Sequence, residues 1–205
     1  MAEISTVCGL GNPGPRYHST RHNLGFMALD ALSKRHSFSW KRAAGPAQTA
    51  LWPVAGRTVT LIKPLTYMNE SGVALSRCGI AGCGASAGRS AVETGSLLVV
   101  CDDLNLPLGQ LRLRSRGGSG GHKGLESIIE HLGTEDFARL RLGIGGAPAG
   151  TDWVEFVLSE FAAGERETAD RMIEAAADTI ETALRAGFDR AMRRLGASGG
   201  PSEPA

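Results

Sequence analysis

Aromatic residues are scarce: only 5% of the 205 residues are Phe, Trp or Tyr. That argues against a protein that holds single strands of nucleic acid on rows of stacked rings. Paired cysteines are missing too. Cys8, Cys78, Cys83 and Cys101 form no Cys-x-x-Cys pair and no Cys/His spacing suited to zinc. Cys8 and Cys101 sit inside apolar runs, where a thiol packs as a small hydrophobe. A reducing, cytoplasmic setting without a structural metal is expected. Long apolar runs are absent: Leu97 to Cys101, the longest near the middle, falls far short of the ~20 residues of a membrane span. The opening MAEISTVCGLGNPG lacks the basic-then-apolar pattern of a secretion leader.

Net charge is nearly absent as well, since 22 Lys+Arg against 21 Asp+Glu leave +1. That total conceals an asymmetry. Residues 1–150 carry 16 basic and 10 acidic side chains, and residues 151–205 carry 6 and 11. Arg112, Arg114, Arg116 and Lys123 fall within 110–123 with no acid among them. Phosphate binding depends on local charge, so a balanced total does not exclude it. What the chain has in excess is glycine: 28 residues, about twice the usual ~7% share. Hydrophobic content of 42% and charged content of 21% are ordinary for a folded domain. A chain of this length buries a core without disulfide or metal staples.

Apolar runs alternate with helical stripes. Strands are expected at Ile4–Leu10, Gln48–Val54, Thr58–Lys63, Ser96–Cys101, Leu108–Arg114 (near an edge) and Arg139–Gly145. Helices are expected at Asn23–Arg35, Glu70–Arg77, Lys123–Leu132 and Glu165–Leu184, the last with Ala169, Met172, Ile173, Ala176, Ile180 and Ala183 on one stripe. Residues 79–96, rich in Gly, Ala and Ser, read as a loose surface excursion, and 196–205 as a disordered tail. This order implies an α/β fold. The expectation is a single domain with a mixed, mostly parallel twisted sheet flanked by helices in three α/β/α layers.

Three motif matches fail on context. Gly9-Leu10-Gly11-Asn12-Pro13-Gly14 fits G-x-G-x-x-G, but Pro13 and Pro15 flank the last glycine, and the helix starts only near Asn23. Gly117-Gly118-Ser119-Gly120-Gly121 fits the nucleophile elbow, yet an arginine-rich strand precedes it and no acid-bearing strand comes before His122 or His131. A phosphate loop counted from Gly117 needs glycine where His122 stands and a hydroxyl where Gly124 stands. Anion binding by the glycine-rich backbone at a helix start survives as general physics.

In open α/β sheets, sites form beyond the carboxyl ends of the strands. After the first strand come Asn12, Tyr17, His18, Arg21 and His22. After Lys63 come Tyr67, Met68 and Asn69, and after Cys101 come Asp102 and Asp103. If these strands run the same way, one histidine, one carboxylate and two carboxamides meet at one rim. A neutral histidine activates water as general base, a carboxylate on its other nitrogen fixes the tautomer, and Asn side chains hold a carbonyl or oxyanion. Each residue also has a plainer role open to it. His22 suits a surface loop, His18 and His22 a metal pair, Asp102 and Asp103 a turn or (with Asn105) a divalent-ion site, Asn12 a turn, and Tyr67 and Met68 ordinary packing.

The segments GLGNPGPRYHSTRHNLGF, KPLTYMNESG, CDDLNLPLGQLRLR, GGSGGHKGL and FARLRLGIG occur in that order. Together they resemble bacterial-type peptidyl-tRNA hydrolase from about Thr6 to Leu195. The resemblance implies a catalytic domain over residues 1–195. Its activity would be metal-independent and cofactor-free, hydrolysing the ester between a peptide and the 3′ ribose of tRNA in a cytoplasmic monomer. Partner contacts would be to the acceptor stem and 3′ end, with no membrane. By position, His22 is similar to the family's general base, Asp102 to the carboxylate that orients it, and Asn12 to the residue that separates N-blocked from free aminoacyl substrates. Tyr17, Tyr67 and Asn69 resemble substrate and 3′-end contacts, Met68 a lining of the peptide channel, and Arg114 and Arg141 a grip on the tRNA 5′ phosphate. Lys123 stands where the family usually has Asn, with three donors and no acceptor, suited to a phosphate or carbonyl near the 3′ end. Asn105 replaces a frequent Asp, 79–96 is longer than usual, and Gly150 and Asp152 occupy a stretch that is often basic.

Overall fold

The computed structural model describes residues 3–78 and 94–198. Seven strands form one sheet: β1 (Thr6–Gly9), β2 (Lys41–Arg42), β3 (Ala47–Val54), β4 (Arg57–Pro64), β5 (Leu97–Asp103), β6 (Leu111–Arg114) and β7 (Ala138–Gly143). Six helices accompany them: α1 (Leu24–His36), α2 (Ser71–Arg77), α3 (Lys123–Leu132), α4 (Trp153–Val157), α5 (Ala163–Ala186) and α6 (Phe188–Ser198). The strand order is β2-β3-β4-β1-β5-β7-β6. The central four, β4-β1-β5-β7, are mutually parallel, while β3 and β6 run antiparallel to their neighbours. The expected mixed, mostly parallel single-domain fold is therefore present, with β6 at an edge.

β5 is buried along its whole length and β1 likewise, as strands covered on both faces should be. Alternate residues feed two cores. Val7, Leu98, Val100, Leu140 and Leu142 pack with α1, α5 and α6. Cys8, Val99 and Cys101 pack with Met68, Leu75, Leu125 and Ile128 under α2 and α3. Burial pushes the thiols of Cys8 and Cys101 far up, so both act as packing groups.

Several boundaries differ from the sequence reading. β2, α4 and α6 were not expected. β2 and α4 are two and five residues long, too short for a period to show. Pro64 closes the β4 ladder opposite Ala47 rather than standing outside it, a position at the strand end that costs little. α6 continues to Ser198, three residues into the expected tail. Residues 79–93 of the expected excursion and 199–205 of the tail lie outside the described residues.

One close approach positions the functional rim. A Cβ on Gly25 would lie 2.3 Å from the Val100 carbonyl oxygen and 2.4 Å from the Leu10 nitrogen. Only glycine lets α1 press this closely on β1 and β5. The turn of 3-10 helix just before α1, Arg21–Asn23, is thereby set beside the carboxyl end of β5.

Candidate active site

Because β1, β4 and β5 are parallel, the segments after them share one rim. His22, on the 3-10 turn after β1, directs Nδ1 at Asp102 on β5, 2.9 Å from Oδ1 and 3.0 Å from Oδ2. Its Nε2 makes no hydrogen bond among the described residues. Asn12 is locked in orientation. Its Oδ1 accepts the Met68 backbone N–H at 2.8 Å, and its backbone exchanges two hydrogen bonds with the Asn23 side chain. With the oxygen so engaged, the Asn12 Nδ2 group remains as a donor at the rim. The turn carrying His22 is stapled from outside. The neighbouring Arg21 reaches Glu160 O at 2.5 Å and Glu165 at 2.6 Å, with its guanidinium 4.5 Å from the Phe156 ring centroid.

A second histidine, not among the site residues expected from the sequence, completes the group. His122 caps α3: its Nδ1 accepts the backbone N–H groups of Gly124 at 3.1 Å and Leu125 at 3.3 Å. That nitrogen carries no proton, so Nε2–H donates to Asp102 Oδ1, 3.0 Å away. The two rings lie 5.0 Å apart at 45°. Burial opposes ionisation of Asp102, but the facing imidazoles of His22 and His122 outweigh it and hold this carboxyl well below the usual carboxylate range. The usable signal in the sequence was a histidine immediately before a helix start, where side-chain acceptors are common.

His22 Nδ1, the Asp102 carboxylate and His122 Nε2 lie within 4.8 Å of one another, close enough to ligate a cation. Each of these atoms is already in a hydrogen bond to its neighbour, so a cation there would have to displace both N–H protons. His18 is exposed and lies outside this cluster.

The remaining candidates are dispersed around this centre. Met68 is buried against the first turn of α3. Tyr67 is exposed, Asn69 is exposed without a side-chain hydrogen bond among the described residues, and Tyr17 is half-buried with its hydroxyl against Arg16. Lys123 is exposed and ion-paired with Glu126 at 2.8 Å. Arg114 is exposed on β6 and has no ion pair among the described residues. Arg141 is turned inward, to Asp103 at 3.1 Å and to the carbonyls of Gly118 at 2.8 Å and Ser119 at 3.2 Å. Across the ladder it faces Arg112, while Arg114 faces the buried Arg139. The Ser119 hydroxyl accepts the Gly121 N–H and has no hydrogen bond to a histidine side chain among the described residues. Asp152, expected as a missing basic contact, caps α4 by accepting the Val154 N–H at 2.9 Å.

A cleft of about 410 Å³ opens beside His22 on the β5–β7 side. Its walls include Asp102, Asn105, His122, Lys123, Arg141 and, from α4, Trp153 and Val157.

A recessed histidine–carboxylate pair at the carboxyl rim of an α/β sheet is a geometry that suits hydrolytic chemistry. The family model for peptidyl-tRNA hydrolase matches residues 6–202, and the chain belongs to that family. The peptidyl-tRNA hydrolase of Exiguobacterium sibiricum is 42% identical over 191 residues, covering 91% of this chain and 99% of that protein. The one from Gloeobacter violaceus is 41% identical over 207 residues, covering 98% and 100%. Among solved structures, the Acinetobacter baumannii peptidyl-tRNA hydrolase superposes with a TM-score of 0.83 at 30% identity, covering 96% of each chain.

Proposed function

We propose that this protein hydrolyses the ester between a peptide, or an N-blocked amino acid, and the 3′ ribose of tRNA, by direct attack of water and without a metal ion. The observation that carries this reading is the Asp102 carboxylate on Nδ1 of His22. It leaves Nε2 as the basic atom of a residue that lines the cleft. His22 removes a proton from water, and Asp102 balances the imidazolium that forms. The Asn12 Nδ2 group donates to a substrate carbonyl, and the exposed Asn69 positions substrate on the β4 side. Expulsion of the ribose hydroxyl takes the proton back from His22. Tyr17 and Tyr67 contact substrate and the 3′ end, and Met68 lines the peptide side. Arg114 supplies charge for the acceptor stem, and Lys123 donates to a substrate carbonyl. The enzyme works as a cytoplasmic monomer; among the described residues no helix is long and apolar enough to cross a membrane.

The test is cleavage of N-acetyl-aminoacyl-tRNA against the unblocked aminoacyl form in excess EDTA. Rapid release from the blocked substrate alone supports the reading. Loss of activity in EDTA, or equal cleavage of both substrates, refutes it.

A further inference from the structure

Of the three tryptophans, Trp52 is 4% exposed in the core and Trp40 packs against Phe38 and Lys63, whereas Trp153 is 47% exposed. An indole left half in water is costly surface. Trp153 spends it on the wall of the cleft that holds His22, and its Nε1–H has no hydrogen bond among the described residues. The platform is fixed relative to the catalytic turn. Arg21, adjacent to His22, lies over Phe156 of the same helix and bonds to Glu160 just beyond it, and Thr20 pairs with Glu160.

What such a wall takes is decided by charge. The cations of the cleft are already matched, Arg141 by Asp103 and Lys123 by Glu126. Asp102 adds a buried negative charge. Among the described residues a phosphodiester would find no unmatched cation here, whereas an apolar group would meet Trp153, Val157 and Leu104. The 3′ end has exposed Tyr67 and Asn69 on the opposite side of His22, toward β4, and the backbone amide of the blocked residue has Asn12 and the Met68 segment. One arm of the substrate is left for the cleft: the side chain of the residue bearing the ester.

Resting on the proposed ester hydrolysis, we infer that Trp153 is a specificity-determining residue that receives this side chain and favours large apolar, above all aromatic, ones. An aromatic ring stacks on or against the indole with its edge toward Val157, and a methyl side chain leaves the cleft unfilled.

The experiment uses the full chain and one tRNA body charged with either N-acetyl-phenylalanine or N-acetyl-alanine. The wild type should show a kcat/KM ratio of about tenfold or more in favour of phenylalanine, the scale of apolar-pocket discrimination. Trp153→Ala should bring that ratio close to one, with the loss falling on the phenylalanine substrate, and Trp153→Phe should keep most of it. A wild type without preference overturns the inference. So does an unchanged ratio in Trp153→Ala, or an equal loss on both substrates, which would assign Trp153 to a nucleobase shared by both or to the folding of α4. If neither blocked substrate is cleaved by the wild type, it is the ester-hydrolysis reading that fails.

Discussion

The Asp102 carboxylate lies 2.9 Å from Nδ1 of His22, and the same oxygen lies 3.0 Å from Nε2 of His122. One carboxylate thus orients two imidazoles. Asp102→Asn replaces an acceptor with a group that can present N–H to Nδ1, which favours the wrong His22 tautomer. The kcat should fall about 10²–10⁴-fold, measured under saturating blocked substrate. The folded pKa of Asp102 is depressed below its ordinary 3.8. Its stabilising contribution is therefore complete above that value and is lost as the pH falls through the folded pKa. The gap in unfolding free energy between wild type and Asp102→Asn should persist down to about pH 4 and narrow only in stronger acid.

His122 has two tasks that a single variant separates from those of His22. His122→Ala removes the α3 cap and one of the bonds to Asp102. Urea unfolding should show a loss of about 1–2 kcal/mol. Catalysis should fall less than in His22→Ala, because the proton-accepting nitrogen is untouched. A stability equal to wild type contradicts the capping role.

Arg114 and Arg141 should respond differently, although the family resemblance pairs them in one grip. Arg114→Ala removes an exposed charge that has no ion pair among the described residues. It should weaken tRNA binding and lower the slope of log K against log salt by about one, with little effect on stability. Arg141→Ala leaves the buried Asp103 carboxylate unpaired and frees the loop carbonyls of Gly118 and Ser119. Chemical denaturation should show a loss of about 3 kcal/mol.

Gly25→Ala places a methyl group against the Val100 carbonyl and the Leu10 nitrogen. The helix must move off the sheet, at a cost of about 3 kcal/mol in unfolding free energy. Since α1 follows the His22 turn directly, kcat should drop as well, which comparison of activity per folded molecule will show.

The pairing of His22 with Asp102 was legible because it obeys a strand-end rule. β1, β4 and β5 contain apolar runs with strong signals, and polar residues follow each run, Asp102 and Asp103 as the last two residues of β5 itself. His122 escaped the same rule because it precedes a helix instead of following a strand, and only the packing of α3 on the sheet brings it to Asp102. Trp153 was passed over because α4 has five residues and no readable period. Charge was visible at Arg141, but its partner Asp103, 38 residues away, was not. The acidic surplus of the last 55 residues finds partners across the fold, as Glu174 and Asp178 on α5 bind Arg35 of α1 at 2.6 and 2.5 Å.

The central claim is that the free nitrogen of His22 activates the attacking water. The most direct measurement is single-turnover cleavage of N-acetyl-alanyl-tRNA by wild type and His22→Ala, both in excess EDTA and both verified as folded by their unfolding transitions. The account predicts an undiminished wild type and a variant slower by about 10²–10⁴-fold. A His22→Ala protein that cleaves at the wild-type rate would contradict it.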